Sequence, residues 1–301
     1  MQETQFIWMN GKLVGWKDAK IHVLTHALHY GTGAFEGIRC YKTEKGPAIF
    51  RLKEHAKRLL DSFSIFKIPC PYTQEQIENA ILETVRANKL EEAYIRPILY
   101  FGYGEMGLRN IDKASVDFAV AAWPWPKYLA EDAIKVKIAK IRRINKESLK
   151  ADAKITGHYV NSVLATIEAK EAGCDEALLL DSKGKIAEGP GENIFIIKNK
   201  ILKTPPLKGQ ILEGITRLSV IKIAKDMGYK TKEKTIDVSE LLDSDEVFMT
   251  GTAAEITPIR QVDDKIIGQG NIGELTGKLK AKFLDIVHGK DDKYEEWLSY
   301  I

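Results

Sequence analysis

Trp123-Pro124-Trp125-Pro126-Lys127-Tyr128 divides this chain. Two prolines two residues apart remove backbone donors and hold the residues before them extended, so no helix or central strand runs through. The segment reads as a connection between domains. Its aromatics make it more than a spacer, since a linker facing only water rarely needs two tryptophans. A length of 301 residues fits the same division, being more than one average domain and less than three. The expected arrangement is a small N-terminal domain over 1–123, an interdomain loop over 124–132 and a larger C-terminal domain over 133–301.

In the first part, Phe6-Ile7-Trp8-Met9 and Lys12-Leu13-Val14 flank Asn10-Gly11, a hairpin turn. A second strand pair, Gly37 to Tyr41 and Ala48 to Phe50, surrounds the turn Lys45-Gly46-Pro47. Helices are expected over 52–66, and from Thr73 (an N-cap with Gln76 three residues on) to near Asn88. Strands return at 93–102 and 116–123, so strands and helices come in blocks and the fold class is α+β. The second part predicts strands at 134–144, 176–181, 193–197 and 246–250. It also predicts helices over 157–172, closed by Gly173, and over 216–227, closed by Gly228. From Gly289 onward the chain reads as a charged tail with no assigned docking place.

Composition excludes several classes. The 45 basic and 42 acidic residues are spread along the chain, and a net charge of +3 without a basic arm leaves nucleic acid no electrostatic footprint. Apolar runs are strand-length, far below the roughly 20 residues that span a bilayer, so no membrane partner is expected. Met1-Gln2-Glu3-Thr4-Gln5 lacks the basic-then-apolar order of a signal peptide. Cys40, Cys70 and Cys174 are odd in number and widely spaced, which argues for a reducing compartment. A cytoplasmic protein is expected.

Two motifs mislead. Gly102-Tyr103-Gly104-Glu105-Met106-Gly107 matches GxGxxG after a strand, but the polar stretch that follows opens no helix, so a loop between strands is the better reading. His22, His26 and His29 have the spacing of one helix face, yet no nearby Asp, Glu or Cys completes a metal set. Structural histidines are favoured there, and no metal site is expected. No GxSxG supplies a nucleophilic serine.

Four other places carry chemistry. Lys154, in Ala151-Asp152-Ala153-Lys154-Ile155-Thr156-Gly157, precedes a helix among small residues, where desolvation can lower an amine's pKa. Tyr159 follows five residues later. Glu188 stands in Glu188-Gly189-Pro190-Gly191-Glu192-Asn193, a glycine-rich turn that presents a carboxylate. Gly214-Ile215-Thr216 opens a helix whose free N–H groups and dipole form an anion site, and Gly251-Thr252-Ala253-Ala254 offers a second. Taken singly, each is more readily a surface lysine, a hairpin turn or an ordinary N-cap. Taken together they supply what pyridoxal phosphate asks of a protein: a lysine, a partner for the ring nitrogen, a donor near the phenolic oxygen and a phosphate cup.

The stretches His26-Ala27-Leu28-His29-Tyr30-Gly31, Phe35-Glu36-Gly37-Ile38-Arg39-Cys40-Tyr41, Tyr94-Ile95-Arg96-Pro97, Glu188 to Phe195 and Val247 to Pro258 carry a resemblance over nearly the whole chain. The sequence resembles the class IV, or fold-type IV, aminotransferases (the D-amino acid aminotransferase-like fold), and among them the branched-chain branch. The resemblance implies two domains with pyridoxal 5′-phosphate at their boundary, and a homodimer or higher homo-oligomer. It implies that Lys154 is the Schiff-base lysine, Glu188 the partner of the pyridine nitrogen and Tyr159 the donor to the phenolic oxygen. Arg58 is then the phosphate arginine, joined by Leu212, Ile215, Thr216, Gly251 and Thr252. Read from its surroundings alone, Arg58 is a solvated helix residue.

The same resemblance implies a substrate site. Tyr30, Phe35, Gly37, Tyr94, Trp125 and Tyr128 would surround a branched alkyl chain. Arg96 with Tyr30 would accept the distal carboxylate of glutamate, and Thr252 with Ala253 the α-carboxylate. Met106 and Leu108 would reach in from a neighbouring subunit. The implied activity is a ping-pong transfer of the amino group of leucine, isoleucine or valine to 2-oxoglutarate, with amino acids and 2-oxo acids as small-molecule partners. The alternatives in the family are a D-amino acid or (R)-amine transaminase and an aminodeoxychorismate lyase, which share Lys154 and Glu188. Phe35-Glu36-Gly37-Ile38-Arg39 and Arg96 favour the branched-chain branch.

Overall fold

The structure is a computed structural model that describes residues 2–125, 133–208 and 210–301. The chain forms two compact units. The first holds residues 2–125, 153–157 and 286–301, and the second 133–152 and 158–285. Tyr128 and most of the expected 124–132 loop lie outside the described residues.

The first unit contains β1 (Phe6–Met9), β2 (Lys12–Gly15), α1 (His26–Tyr30), β3 (Gly33–Phe35), β4 (Ile38–Thr43), β5 (Gly46–Phe50), α2 (Leu52–Phe63), α3 (Gln74–Ala87), β6 (Ala93–Phe101) and β7 (Val116–Trp123). The Asn10-Gly11 turn has positive φ at both residues, as a tight hairpin requires. α3 starts with a capping box: Thr73 accepts from the Gln76 N–H while the Gln76 side chain accepts from the Thr73 N–H. The sheet runs in the order Leu298–Tyr300, β5, β4, β6, β7, β1, β2, with β3 paired antiparallel on β6.

Leu52, Ala56, Leu59 and Phe63 of α2, with Ile77, Ile81 and Val85 of α3, recur at helical spacing and cover one face of this sheet. They meet Ile38, Cys40, Ile95, Leu99 and Val120, and each large apolar side chain buried here is worth about 1.5–3 kcal/mol. Strand alternation turns Arg39, Tyr41, Tyr94 and Arg96 to the opposite face. Half of the candidate site stands there.

Two parts of the chain depart from the expected domain at 133–301. Residues 153–157, and Lys154 with them, belong to the first unit. The Phe35 N–H donates to the Lys154 carbonyl at 3.1 Å, Ala34 and Ile155 form an isolated antiparallel bridge, and Thr156 Oγ1 donates to Gly31 O at 2.7 Å. The approach is close enough to demand glycine: at Gly31, with φ +65°, a Cβ would lie 2.6 Å from Gly157 Cα. The charged tail also docks. Leu298–Tyr300 pairs antiparallel with β5, Trp297 is buried against Phe50, and the Arg51 guanidinium lies 4.6 Å over the Trp297 ring.

The second unit contains β8 (Ile134–Ile138), α4 (Tyr159–Glu171), β9 (Glu176–Leu180), β10 (Ile186–Glu188), β11 (Asn193–Lys198), β12 (Ile201–Thr204), α5 (Ile215–Asp226), β13 (Thr231–Glu233), α6 (Val238–Leu242), β14 (Glu246–Gly251), β15 (Glu255–Val262), β16 (Lys265–Ile266) and α7 (Glu274–Val287). Its sheet runs β10, β9, β8, β15, β14, β11, β12, β13, with β16 on β15. The β8–β9, β8–β15 and β12–β13 pairs are parallel, which makes this a mixed sheet. β8 stops well short of the expected residue 144. The N–H groups of Ala139 and Arg143 bond Leu178 and Leu180, four residues against two, and the ladder breaks there.

The GxGxxG segment is the loop after β6, followed by a 3₁₀ stretch over Leu108–Lys113 rather than a long helix. His26 bonds Thr32 through Nδ1 and His29 bonds the Val23 carbonyl, so both serve the loop around α1, and His22 lies outside that helix.

Candidate active site

The first unit gathers one group of predicted residues around Phe35. The Lys154 Nζ lies 4.9 Å from the centroid of this ring, and the Arg96 guanidinium lies 4.9 Å from it as well. Arg96 also stands 5.2 Å over the ring of Tyr94 and donates through Nη2 to its hydroxyl at 2.9 Å. Trp125 stacks on Tyr94 at 4.5 Å. Gly37 completes the surface, because a Cβ there would lie 2.0 Å from the Tyr94 hydroxyl. Phe35, Gly37, Tyr94, Arg96 and Trp125 are thus one apolar wall with a guanidinium set in it. The Arg96 Nε is buried without a hydrogen-bond partner among the described residues. Such a donor costs about 1–3 kcal/mol until an acceptor meets it, and a planar carboxylate fits the fork.

Backbone bonds fix where Lys154 starts. Its N–H donates to Ser62 Oγ at 3.0 Å, and its carbonyl accepts from Phe35. Ser62 lies one turn after Arg58 on α2, so the lysine and the predicted phosphate arginine share one supporting helix. Arg58 is 14% exposed, and it donates through Nε and Nη2 to the two oxygens of Glu36 at 2.6 and 2.8 Å. His55 Nδ1 meets Glu36 Oε2 at 2.8 Å. Burial raises the Glu36 pKa, but Arg58 and His55 outweigh it and hold the carboxyl well below the usual range. Burial is also the main cause that pushes His55 down, against the pull of Glu36.

Tyr30, Met106 and Leu108 are placed by other contacts. The Tyr30 ring lies against His26 and His29 and is 39% exposed. Leu108 is 73% exposed on the loop after β6, where the Asn110 side chain holds the Met106 carbonyl at 3.0 Å.

The second unit gathers the others. Glu188 ends β10 and is buried. Its Oε1 accepts from Arg143 Nε at 2.6 Å, and its Oε2 accepts from Asn193 Nδ2 and the Leu212 N–H, both at 3.1 Å. Arg143 also donates through Nη2 to Ala151 O. One guanidinium and two further N–H donors thus face this carboxylate and fix its orientation. Ser162 on α4 donates to Pro190 O at 2.7 Å and ties that helix to the turn after Glu188. Tyr159 stands three residues earlier, on the same side of α4.

Leu212 leads into Gly214, the N-cap of α5, which has no side-chain cap. No cap side chain takes the first backbone donors, and a helix start of this kind suits an anion. The Gly251–Ala254 turn closes β14 onto β15, held by Thr257 Oγ1 donating to Ala254 O at 2.7 Å. Gly251 approaches the Gly191 carbonyl closely, so this turn sits beside the one that follows Glu188. Glu188, Leu212, Ile215, Thr216, Gly251 and Thr252 therefore lie at one end of this sheet. Within this unit, a helix N-terminus without a side-chain cap suits a phosphate, and a carboxylate held by Arg143 suits a protonated pyridine nitrogen.

Sequence reasoning missed Arg143, Asn193 and His55, and it quoted Glu36 without a role. One signal was available: His55 falls in the buried stripe Leu52, Ala56, Leu59, and an inward histidine needs a polar partner. Arg143 had no local signal.

Residues 33–262 match the family described as Amino-transferase class IV. The chain is 46% identical to the branched-chain-amino-acid aminotransferase of Pseudomonas aeruginosa, over 98% of this chain and 97% of that one. It is similar to the crystal structure of the T.th. branched-chain amino acid aminotransferase complexed with N-(5′-phosphopyridoxyl)-L-glutamate, with a TM-score of 0.96, 44% identity and coverage of 100% and 99%. It is also similar to the branched-chain aminotransferase of the archaeon Thermoproteus uzoniensis with norvaline, with a TM-score of 0.95, 42% identity and coverage of 99% of each chain.

Proposed function

The chain belongs to the class IV aminotransferases, and from that premise we propose that it transfers the amino group of branched-chain L-amino acids to 2-oxoglutarate with pyridoxal 5′-phosphate as cofactor. The observation that carries this reading is the double use of Phe35: an amine suited to covalent work and a guanidinium suited to a carboxylate lie over one apolar ring.

When bound, the cofactor supplies a carbonyl that takes up the amino group and a ring that accepts electrons from the α-carbon. Lys154 would hold it covalently, and the Lys154 Nζ, when free, would move the proton at the substrate's α-carbon. Glu188 holds a proton on the pyridine nitrogen, and Tyr159 donates to the phenolic oxygen. Arg58, the N–H groups of Ile215 and Thr216, and the Gly251-Thr252 turn bind the phosphate. Phe35, Tyr94 and Trp125, with Gly37 leaving room, exclude water and bury the alkyl chain, while the backbone of Thr252 and Ala253 orients the α-carboxylate. Arg96 takes the distal carboxylate of glutamate in the second half of the cycle. Tyr30 and Tyr128 complete the reading of the substrate site.

The proposal includes a cytoplasmic homodimer or larger homo-oligomer in which Met106 and Leu108 serve a neighbouring copy. In support, Val23, Leu28 and Leu108 are exposed on the first unit, and Val160, Val163, Leu164 and Ile167 form an exposed stripe on α4. Among the described residues no helix is long and apolar enough to cross a membrane.

The test compares L-leucine, L-isoleucine, L-valine, D-alanine and an (R)-amine as donors to 2-oxoglutarate. The branched-chain L-amino acids are expected to give the highest kcat/KM. A leading rate with D-alanine or the amine, or deamination without an acceptor, sinks the assignment.

A further inference from the structure

Glu36 poses a question that packing does not answer. It is a fully buried carboxylate in a fold with ample apolar core, and burying an ion pair is seldom better for stability than burying hydrophobic side chains of the same volume. Its partner Arg58 is largely buried too, with a side chain 14% exposed, so the pair lies towards the edge of the core. The two parallel bonds from Nε and Nη2 fix the plane of the guanidinium and the direction of every remaining N–H. His55 is itself fully buried and donates from Nδ1 to Glu36, which stops the carboxylate from turning.

The backbone at Glu36 is equally constrained. Its N–H donates to Pro97 O at 2.9 Å, and the preceding N–H, that of Phe35, donates to Lys154 O. Lys154 in turn donates to Ser62, one turn from Arg58 on α2. A closed circuit therefore runs from Arg58 through Glu36 and Phe35 to Lys154, and back through Ser62 to α2. All of it lies in the first unit.

We propose that Glu36, braced by His55, is a positioning residue that aims Arg58 at the cofactor phosphate and, through Phe35, keeps the covalent anchor and the phosphate anchor at one separation. The inference rests on the cofactor reading above and deepens it. Without the brace the arginine keeps its charge but loses its direction, and the penalty falls on ligands that carry a phosphate.

The experiment titrates apoenzyme with pyridoxal 5′-phosphate and, separately, with pyridoxal, which lacks the phosphate. Binding is read from the absorbance of the bound chromophore and from tryptophan fluorescence. In Glu36→Gln the Kd for pyridoxal phosphate should rise about tenfold or more, as loss of a charge-assisted pair implies, while that for pyridoxal stays within about twofold. His55→Gln, which keeps the ion pair, should move the same ratio in the same direction by less, and it carries the test if Glu36→Gln does not fold. Equal weakening for both compounds means general damage and overturns the inference, as does an unchanged Kd for pyridoxal phosphate. Borohydride reduction of the loaded wild-type protein must place the cofactor on Lys154. Failure there sinks the parent reading, whereas normal loading with an unchanged ratio sinks this inference alone.

Discussion

The hydroxyl oxygen of Tyr94 lies 2.0 Å from the point that a Cβ on Gly37 would occupy. Tyr94 also receives Arg96 on that oxygen and carries Trp125 on its ring, so one methyl group at position 37 would disturb three members of the wall. Gly37→Ala should raise KM for L-leucine about tenfold with a smaller change in kcat, while far-UV circular dichroism stays unchanged. Wild-type KM in this variant would remove Gly37 from the substrate site.

On the proposed reading, Arg96 separates the two halves of the cycle. Arg96→Leu should lower kcat/KM for 2-oxoglutarate about a hundredfold, since a bidentate charged contact is lost, and should cost L-leucine less than about tenfold. Single-turnover rates for each half-reaction make the comparison. Equal losses would show that the guanidinium does not read the distal carboxylate.

Arg143 is tested by removing its charge. Arg143→Met leaves Glu188 buried without its cation, which costs about 3–5 kcal/mol of stability. As the proposed partner of the pyridine nitrogen, Glu188 would also lose its orientation, and kcat should fall about a hundredfold or more. Urea titration and steady-state rates together read both routes, and a variant normal on both counts would leave Glu188 independent of Arg143.

Stability should depend on pH through His55 and Glu36. His55 is faced by Glu36, Arg58 and Lys154, and burial keeps it neutral in the fold. The unfolded chain binds a proton there below about pH 6.5, so the contribution is complete above that pH and falls as the solution is acidified. Glu36 has its pKa lowered in the fold, so its contribution is complete above about pH 4.3 and is lost below. The unfolding temperature should therefore begin to fall as the pH drops below about 6.5, then fall more steeply below about pH 4.3. His55→Gln should flatten the first fall and leave the second. If the first fall persists undiminished, His55 is not its origin.

The docked tail makes its own prediction. Trp297→Ala removes a buried indole that meets Phe50 and Arg51, and should destabilise the first unit by about 3–5 kcal/mol in urea titration. A change under about 1 kcal/mol would mean the tail adds little.

Much of this architecture was legible in local sequence. Asn10-Gly11, the Thr73–Gln76 capping box and the glycines after α4 and α5 act over a few residues, and the elements they bound appear within a residue or two of expectation. α7 was equally periodic, with Leu275, Leu279, Phe283 and Ile286 buried, and went unread. What local sequence does not carry is which distant segment closes a sheet. Residues 153–157 return to Gly31 and Phe35 across more than a hundred positions, and no pattern around Lys154 announces it. The site divides in the same way. Lys154 and Glu188 were singled out by their local settings and given their roles by family resemblance, and the groups that hold Arg58 and Glu188 in place needed the fold.

The strand Leu298–Tyr300 gives the first unit a schedule. β5 is complete once residue 50 has been made, yet its outer neighbour arrives roughly 250 residues later. At translation rates of about 5–20 residues per second, that edge stands uncovered on the ribosome for on the order of 10–50 seconds. During that interval its unpaired N–H and C=O groups are open to another nascent chain's strand. The protein's exposure to its own kind thus ends only with a segment made long after the strand it covers.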